Sequence, residues 1–209
     1  MLTRRTMMTG ATLWAGSLLP AVAEPGLDPA ESLARLERRA GGHLGVAILA
    51  ADSGAVVGHR LDEAFPLCST HKLLSAAFVL ARAEAGQDRL DRRIAYGPDA
   101  LLPYAPVTKL HAGSGMTLAA LCEAAVTLSD NTAANLLLDS FGGPPALTAA
   151  LRRWGDDVTR LDRTEPTLNE ARPGDPRDTT TPRAMATLLR RIALGPALTE
   201  GSRDLLQGW

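Results

Sequence analysis

The run from Leu73 to Ala85 constrains the fold most, because it is mostly apolar, has no wide polar stripe and ends at Gly86. A helix with this pattern is buried in the centre of a domain, since a surface helix would carry a polar face. Ser69 and Lys72 stand directly before the run. The sequence therefore predicts a helix from Ser69 to Ala85 with a hydroxyl and an amine at its N-terminal end.

Ser69 and Lys72 are three residues apart, a spacing that places two side chains on one face of a helix. The first N–H groups of a helix are unpaired and its dipole is positive there, which would stabilise an oxyanion and ease deprotonation of an amine. Only Lys72 and Lys109 are lysines among 22 basic residues, and an arginine cannot release its proton in a protein. The pair predicts a nucleophile beside a base, although a capping serine followed by an exposed lysine is the alternative.

Residues 1–23 have the pattern of an export leader. Arg4-Arg5 form a basic start, an apolar stretch follows, and Ala21-Val22-Ala23 has the small-x-small form of a cleavage site. The Arg-Arg pair resembles a twin-arginine signal, and an ordinary basic start is the alternative. We expect an exported protein, periplasmic or secreted, with residues 24–209 as its domain.

The composition excludes several classes of function. Without the leader the chain has 20 basic and 23 acidic side chains, with no basic stripe for nucleic acid and no further apolar segment to span a membrane. The four histidines lack metal-binding spacing, so no metal or other cofactor is expected. Cys68 and Cys122 could pair in an exported protein, but the sequence does not place them within bridging distance. Two free, buried thiols are expected.

Caps, breakers and periodicity predict the remaining elements. Two apolar runs joined by Asp52-Ser53-Gly54 predict a β-hairpin. Between residues 155 and 181 the chain has prolines, many charges and no periodicity, which indicates a long functional loop. Further helices are predicted over residues 28–40, 117–126, 131–141, 145–154, 181–194 and 199–206.

Three motifs follow one another along the chain: Ser69-x-x-Lys72, Ser129-Asp130-Asn131 and, in the long loop, Glu165-Pro166-x-Leu168-Asn169. Their order and spacing resemble the class A serine β-lactamases, from about residue 27 to the end of the sequence. The resemblance implies an α/β fold, in the α+β sense: a helical lobe packed on an antiparallel sheet. Only the first two strands of that sheet are expected in this chain.

The resemblance also implies the roles of the site residues. Ser69 would attack the β-lactam, Lys72 would serve its proton network, and Ser129 would pass a proton to the leaving nitrogen. Glu165 would activate the water that hydrolyses the acyl-enzyme, and either Glu165 or Lys72 would be the base for acylation. The substrate would contact Asn131 and Tyr104, Asn169 would help to hold the water, and an ion pair between Arg163 and Asp178 would close the neck of the loop.

The family's Lys-[Ser/Thr]-Gly element, which helps to bind the substrate carboxylate, is absent from these 209 residues. We therefore expect a C-terminally incomplete β-lactamase, monomeric and with little or no activity as it stands. Two alternatives remain open. The first is a penicillin-binding D-alanyl-D-alanine peptidase, which shares Ser-x-x-Lys but does not need Glu165, so that Glu165 argues against it. The second is a non-catalytic remnant, which the missing Lys-[Ser/Thr]-Gly element favours.

Overall fold

The computed structural model describes residues 28–209, so the predicted export leader lies outside the described residues. Most of the described chain folds into α-helices joined by short turns and one long loop. The helices are α1 (Pro29–Ala40), α2 (His71–Glu84), α3 (Leu118–Leu128), α4 (Asn131–Phe141), α5 (Gly143–Arg153), α6 (Pro182–Ala193) and α7 (Glu200–Gly208). Each predicted helix is present.

Local capping explains where the helices begin. At the N-termini of α1, α3, α4 and α6 a side-chain oxygen accepts a backbone N–H of the first turn; the capping residues are Asp28, Thr117, Asp130 and Thr181. Helix α5 begins at Gly143, two residues before the predicted start at Pro145. The reason is Gly142, whose φ of 101° ends α4 in the left-handed region and turns the chain directly into α5.

The predicted hairpin consists of β1 (Val46–Leu49) and β2 (Val56–His59), which pair antiparallel with Ile48 opposite Val57. Four further strands of two residues each form two more antiparallel pairs: β3 (Phe65–Pro66) with β6 (Thr179–Thr180), and β4 (Arg93–Ile94) with β5 (Met116–Thr117). The β1–β2 sheet has two strands, as expected, and the four short strands form separate pairs that were not predicted. Two residues are too few to show the alternation by which a strand is recognised.

The core is built around α2, as its apolar sequence predicts. Helices α3, α4 and α5 pack against it, and α1 and α6 lie against the β1–β2 hairpin. Fully buried leucines fill the space between these helices, among them Leu74, Leu121, Leu137 and Leu151. The fold is therefore a helical lobe beside a small antiparallel hairpin, and the three sequence motifs meet at the N-terminal end of α2.

Residues 28–209 contain no helix with the length and hydrophobicity needed to cross a bilayer. The longest helix in this range, α2, has 14 residues, whereas a transmembrane helix needs roughly 20. Helix α2 is apolar because other helices surround it.

Thr181 offers a test of the capping argument. Its hydroxyl accepts the N–H of Ala184 at 3.2 Å and the residue is 8% exposed. Thr181→Ala is expected to lower the free energy of unfolding by about 1 kcal/mol, measured by urea denaturation, because the N–H of Ala184 loses its acceptor. Thr181→Ser keeps the hydroxyl and should lose much less. Equal losses in the two variants would contradict the role of the cap.

Candidate active site

Lys72 is the centre of the site. Its side chain is 2% exposed, and its Nζ lies 2.6 Å from Oδ1 of Asn131, 2.8 Å from the carbonyl oxygen of Ser129 and 2.9 Å from Oγ of Ser129. Oγ of Ser69 and Oε1 of Glu165 are each 3.1 Å away. An ammonium has three protons, so these oxygens compete for them. The amine can therefore exchange its hydrogen bonds between the two serines and the carboxylate.

Ser69 and Ser129 reach Lys72 from two different turns. Ser69 is exposed and lies in the single 3₁₀ turn Cys68–Thr70, so α2 proper begins two residues later than predicted, at His71. Ser129 ends α3 with a left-handed φ of 54°, which brings both its carbonyl and its hydroxyl to the amine. The two hydroxyl oxygens are 3.1 Å apart. The site thus combines an accessible hydroxyl, a buried amine and a second hydroxyl, each within hydrogen-bond distance of the other two.

Glu165 reaches the site from the long loop and is buried. Its Oε2 accepts the side-chain N–H of Asn169 at 2.7 Å, and its backbone N–H and C=O pair with the side chain of Asn135, at 2.9 Å each. Burial raises the pKa of Glu165, but the imidazole of His71, the Lys72 ammonium and Asn169 together outweigh it and lower the pKa to about 2. The carboxylate is therefore ionised at neutral pH.

The neck of the long loop contains the expected ion pair. Arg163 Nε donates to Oδ2 of buried Asp178 at 2.5 Å, and Oδ1 of Asp178 accepts the backbone N–H groups of Asp162 and Arg163. The backbone C=O of Asp178 also accepts the N–H of Leu67, just before the turn that holds Ser69. The carboxyl of Asp178 thus joins both ends of the loop.

Asn131 and Tyr104 are adjacent at the rim of the site. The backbone N–H of Asn131 donates to the carbonyl of Tyr104 at 3.0 Å, while Oδ1 of Asn131 accepts from Lys72. The Tyr104 side chain is 55% exposed. Of the nine residues singled out from the sequence, Tyr104 alone has no side-chain hydrogen bond to the others within residues 28–209.

Asp130, Asn135 and His71 were not assigned a role from the sequence. Asp130 is fully buried and ties the segment around Thr108 to the start of α4. The i, i+4 spacing of Asn131 and Asn135 on α4 could have indicated that Asn135 faces the site. His71 is fully buried beside Glu165, and its position next to Lys72 was the only available signal.

Both cysteines are free, as expected. Cys122 is buried in α3, and burial strongly raises the pKa of its thiol. Cys68 is only partly buried, so the expectation of two buried thiols was wrong for this residue. It adopts a positive φ of 44° ahead of α2 and thus lies outside the helix's buried face, and burial together with Glu165 raises its pKa.

The arrangement can support nucleophilic acyl transfer. It has an accessible hydroxyl, an amine and a second hydroxyl for proton movement, and a separate ionised carboxylate. Among residues 28–209 there is no group of three or more His, Cys, Asp or Glu side chains that could hold a metal ion.

Comparisons with known proteins show the family of the chain. A family model described as the β-lactamase enzyme family matches residues 28–208, so the chain belongs to that family. Its relatives identify it further as a class A serine β-lactamase sequence. It is 51% identical over 183 residues to β-lactamase L2 of Stenotrophomonas maltophilia, covering 88% of this chain and 60% of that protein. The chain thus spans well under two thirds of the curated relative's length.

Solved structures give the same classification. The ancestral class A β-lactamase of the last common ancestor of Gram-negative bacteria is 62% identical with a TM-score of 0.86, covering 87% of this chain and 70% of that one. The putative class A β-lactamase PenP from Rhodopseudomonas palustris is 58% identical with a TM-score of 0.85, covering 86% and 69%. The predicted fold is confirmed.

Proposed function

We propose that the chain opens β-lactam antibiotics through an acyl-enzyme on Ser69. The observation that carries the proposal is the position of Ser69 Oγ, 3.1 Å from both Lys72 Nζ and Ser129 Oγ, with ionised Glu165 also 3.1 Å from the amine. A serine hydroxyl is a weak nucleophile until a neighbouring base takes its proton. The family of the chain supports β-lactams as the substrate class.

Acylation needs a proton to leave one atom and reach another. Ser69 Oγ bonds to the lactam carbonyl carbon as Lys72, an ammonium until then, gives one proton to Glu165 and takes the serine proton in its place. As the C–N bond breaks, Ser129 donates its proton to the ring nitrogen and is reprotonated by Lys72, and Glu165 then returns its proton to the amine and is ionised again. The contacts of Lys72 with Ser69, Ser129 and Glu165 provide the path for both transfers.

Hydrolysis of the acyl-enzyme needs a general base that is ionised although it is buried. We assign this role to Glu165, which takes a proton from the water that attacks the ester carbonyl, while Asn169 orients the carboxylate and the water. The bond between the carbonyl carbon and Ser69 Oγ then breaks, and the proton returns to Ser69 through Lys72. The ion pair between Arg163 and Asp178 supports this step indirectly, because it holds the neck of the loop that carries both residues. This buried carboxylate favours a β-lactamase over a D-alanyl-D-alanine peptidase, which has no use for it.

The rim residues and the remaining properties follow from the same proposal. Asn131 and Tyr104 would bind the substrate side chain at the opening of the site. Because the 209 residues contain no Lys-[Ser/Thr]-Gly to bind the substrate carboxylate, hydrolysis by these residues alone should be slow. We further propose that the protein is exported and acts as a monomer, as the pattern of residues 1–23 and the small-molecule substrate suggest.

Acylation can be tested by incubating the purified chain with benzylpenicillin and a chromogenic cephalosporin. Intact mass spectrometry should detect one added penicilloyl group, located on the peptide that contains Ser69, even if turnover is slow. Ser69→Ala should remove the adduct, and Ser114→Ala, at an exposed serine outside the site, should not. Absence of both hydrolysis and a Ser69-dependent adduct would overturn the proposed function, and fast hydrolysis would contradict the expected low rate.

A further inference from the structure

Two buried polar atoms face each other behind the nucleophile. Nε2 of His71 is 3.5 Å from Oε1 of Glu165, and both side chains are completely buried. Within residues 28–209 neither atom has a hydrogen-bond partner of good geometry, although Oε1 also forms the ion pair with Lys72. Buried polar atoms without partners are costly, so a pair this close is expected to bond to each other.

The position of His71 determines which ring nitrogen points to Glu165. His71 is the first residue of α2, and its Nδ1 lies 3.4 Å from Oγ of Ser75, one turn further along. A serine hydroxyl can donate to a bare Nδ1, and the neutral ring then carries its proton on Nε2. The ring would thus direct an N–H at the carboxylate of Glu165.

We propose that His71 is a positioning residue whose Nε2–H donates a hydrogen bond to Oε1 of Glu165. This holds the carboxylate ionised, with Oε2 directed to Asn169. The inference rests on the proposed function and deepens it, because it adds a residue that acts through the deacylation base. His71 contacts neither the nucleophile nor the amine in any hydrogen bond of the described chain.

The other charged and polar groups around Glu165 show why a second donor matters. Lys72 and His71 face it from α2, the Cys68 thiol faces it from the preceding turn, Asn169 faces it from its own loop, and Asn135 on α4 holds its backbone. The protons of Lys72 are shared with Ser69, Ser129 and Asn131. Among residues 28–209 no other acceptor competes for the N–H of His71, so Oε1 keeps a donor while the amine serves the serines.

The hydrogen bond has a definite effect on pH dependence. A donor that bonds to the ionised carboxylate lowers its pKa, so removing the donor must raise it. In a phenylalanine variant of residue 71 the pKa of Glu165 is expected to rise by roughly one pH unit or more, from about 2. The acid limb of deacylation would move up in pH by the same amount.

The first test needs no catalysis. Long-range ¹H–¹⁵N NMR of the chain labelled on its histidine rings reports which nitrogen carries the proton, and His71→Phe assigns the signals of this ring. A proton on Nε2 with a bare Nδ1 supports the proposal. A ring protonated on Nδ1 alone overturns it, whether or not the protein acts on β-lactams.

The second test follows the carboxylate in variants. Carboxyl ¹³C NMR should give a higher pKa for Glu165 in His71→Phe, a value near the original in His71→Gln, whose amide can donate from the place of Nε2, and no change in His111→Phe, at an exposed histidine. If hydrolysis is measurable, its acid limb should move in the same order. An unchanged pKa in folded His71→Phe would overturn the role of His71, and absent acylation would count against the proposed function alone.

Discussion

Glu165→Gln is expected to convert a transient acyl-enzyme on Ser69 into a long-lived one. Glutamine keeps the size of the side chain and an oxygen for Asn169, but it cannot take a proton from water. General bases contribute about 10²- to 10⁴-fold, so deacylation should slow by roughly 10³-fold. The measurement is the fraction of penicilloyl-protein over time, by intact mass after excess penicillin is removed.

A matched control separates this effect from a general loss of charge. Glu123 is exposed on α3, and Glu123→Gln should release the acyl group as fast as the unmodified chain. If Glu165→Gln also released it at that rate, Glu165 would not be the deacylation base. Loss of acylation in Glu165→Gln would instead identify the carboxylate as the base for the first step.

Asp130→Ala is expected to cause a large loss of stability, about 3–5 kcal/mol in the free energy of unfolding. Asp130 is fully buried, and its carboxylate accepts the backbone N–H groups of Val107, Thr108 and Ala133 as well as the hydroxyl of Thr108. Alanine would leave these donors buried without an acceptor and would remove the N-cap of α4. Urea denaturation followed by circular dichroism measures the loss.

Two further variants make the comparison informative. Asp139 is exposed on the same helix, so Asp139→Ala should change stability by less than about 0.5 kcal/mol. Asp130→Asn keeps one acceptor oxygen and should fall between the alanine variant and the unmodified chain. A denaturation midpoint for Asp130→Ala that equals that of Asp139→Ala would show that the buried carboxylate is not needed.

The sequence predicted the helices well because their ends are determined locally. Asp28, Thr117 and Thr181 accept N–H groups of the turns that follow them, so a few adjacent residues determine each start. The central position of α2 was also predictable, since its residues are apolar on nearly every side. By contrast, the pairing of β3 with β6 joins residues more than 100 positions apart and left no periodic pattern.

The site was predicted in part for the same reason. Ser69 and Lys72 are neighbours on one helical turn, and the motifs of Ser129 and Glu165 pointed to the same centre. What the sequence did not indicate is the environment of Glu165: the imidazole of His71 and the side chain of Asn135 reach it only after α2, α4 and the long loop pack together. Burial and distance decide the ionisation of the carboxylate, and neither can be inferred from spacing along the chain.

The short β3–β6 pair has a mechanical consequence. Phe65 and Pro66 lead directly into the turn that carries Ser69, and they pair with Thr180 and Thr179 at the far end of the loop that carries Glu165. A displacement of the loop's end therefore pulls on the strand that sets the nucleophile. The strand that precedes the serine and the far end of the loop that carries the carboxylate therefore share one pair of backbone supports.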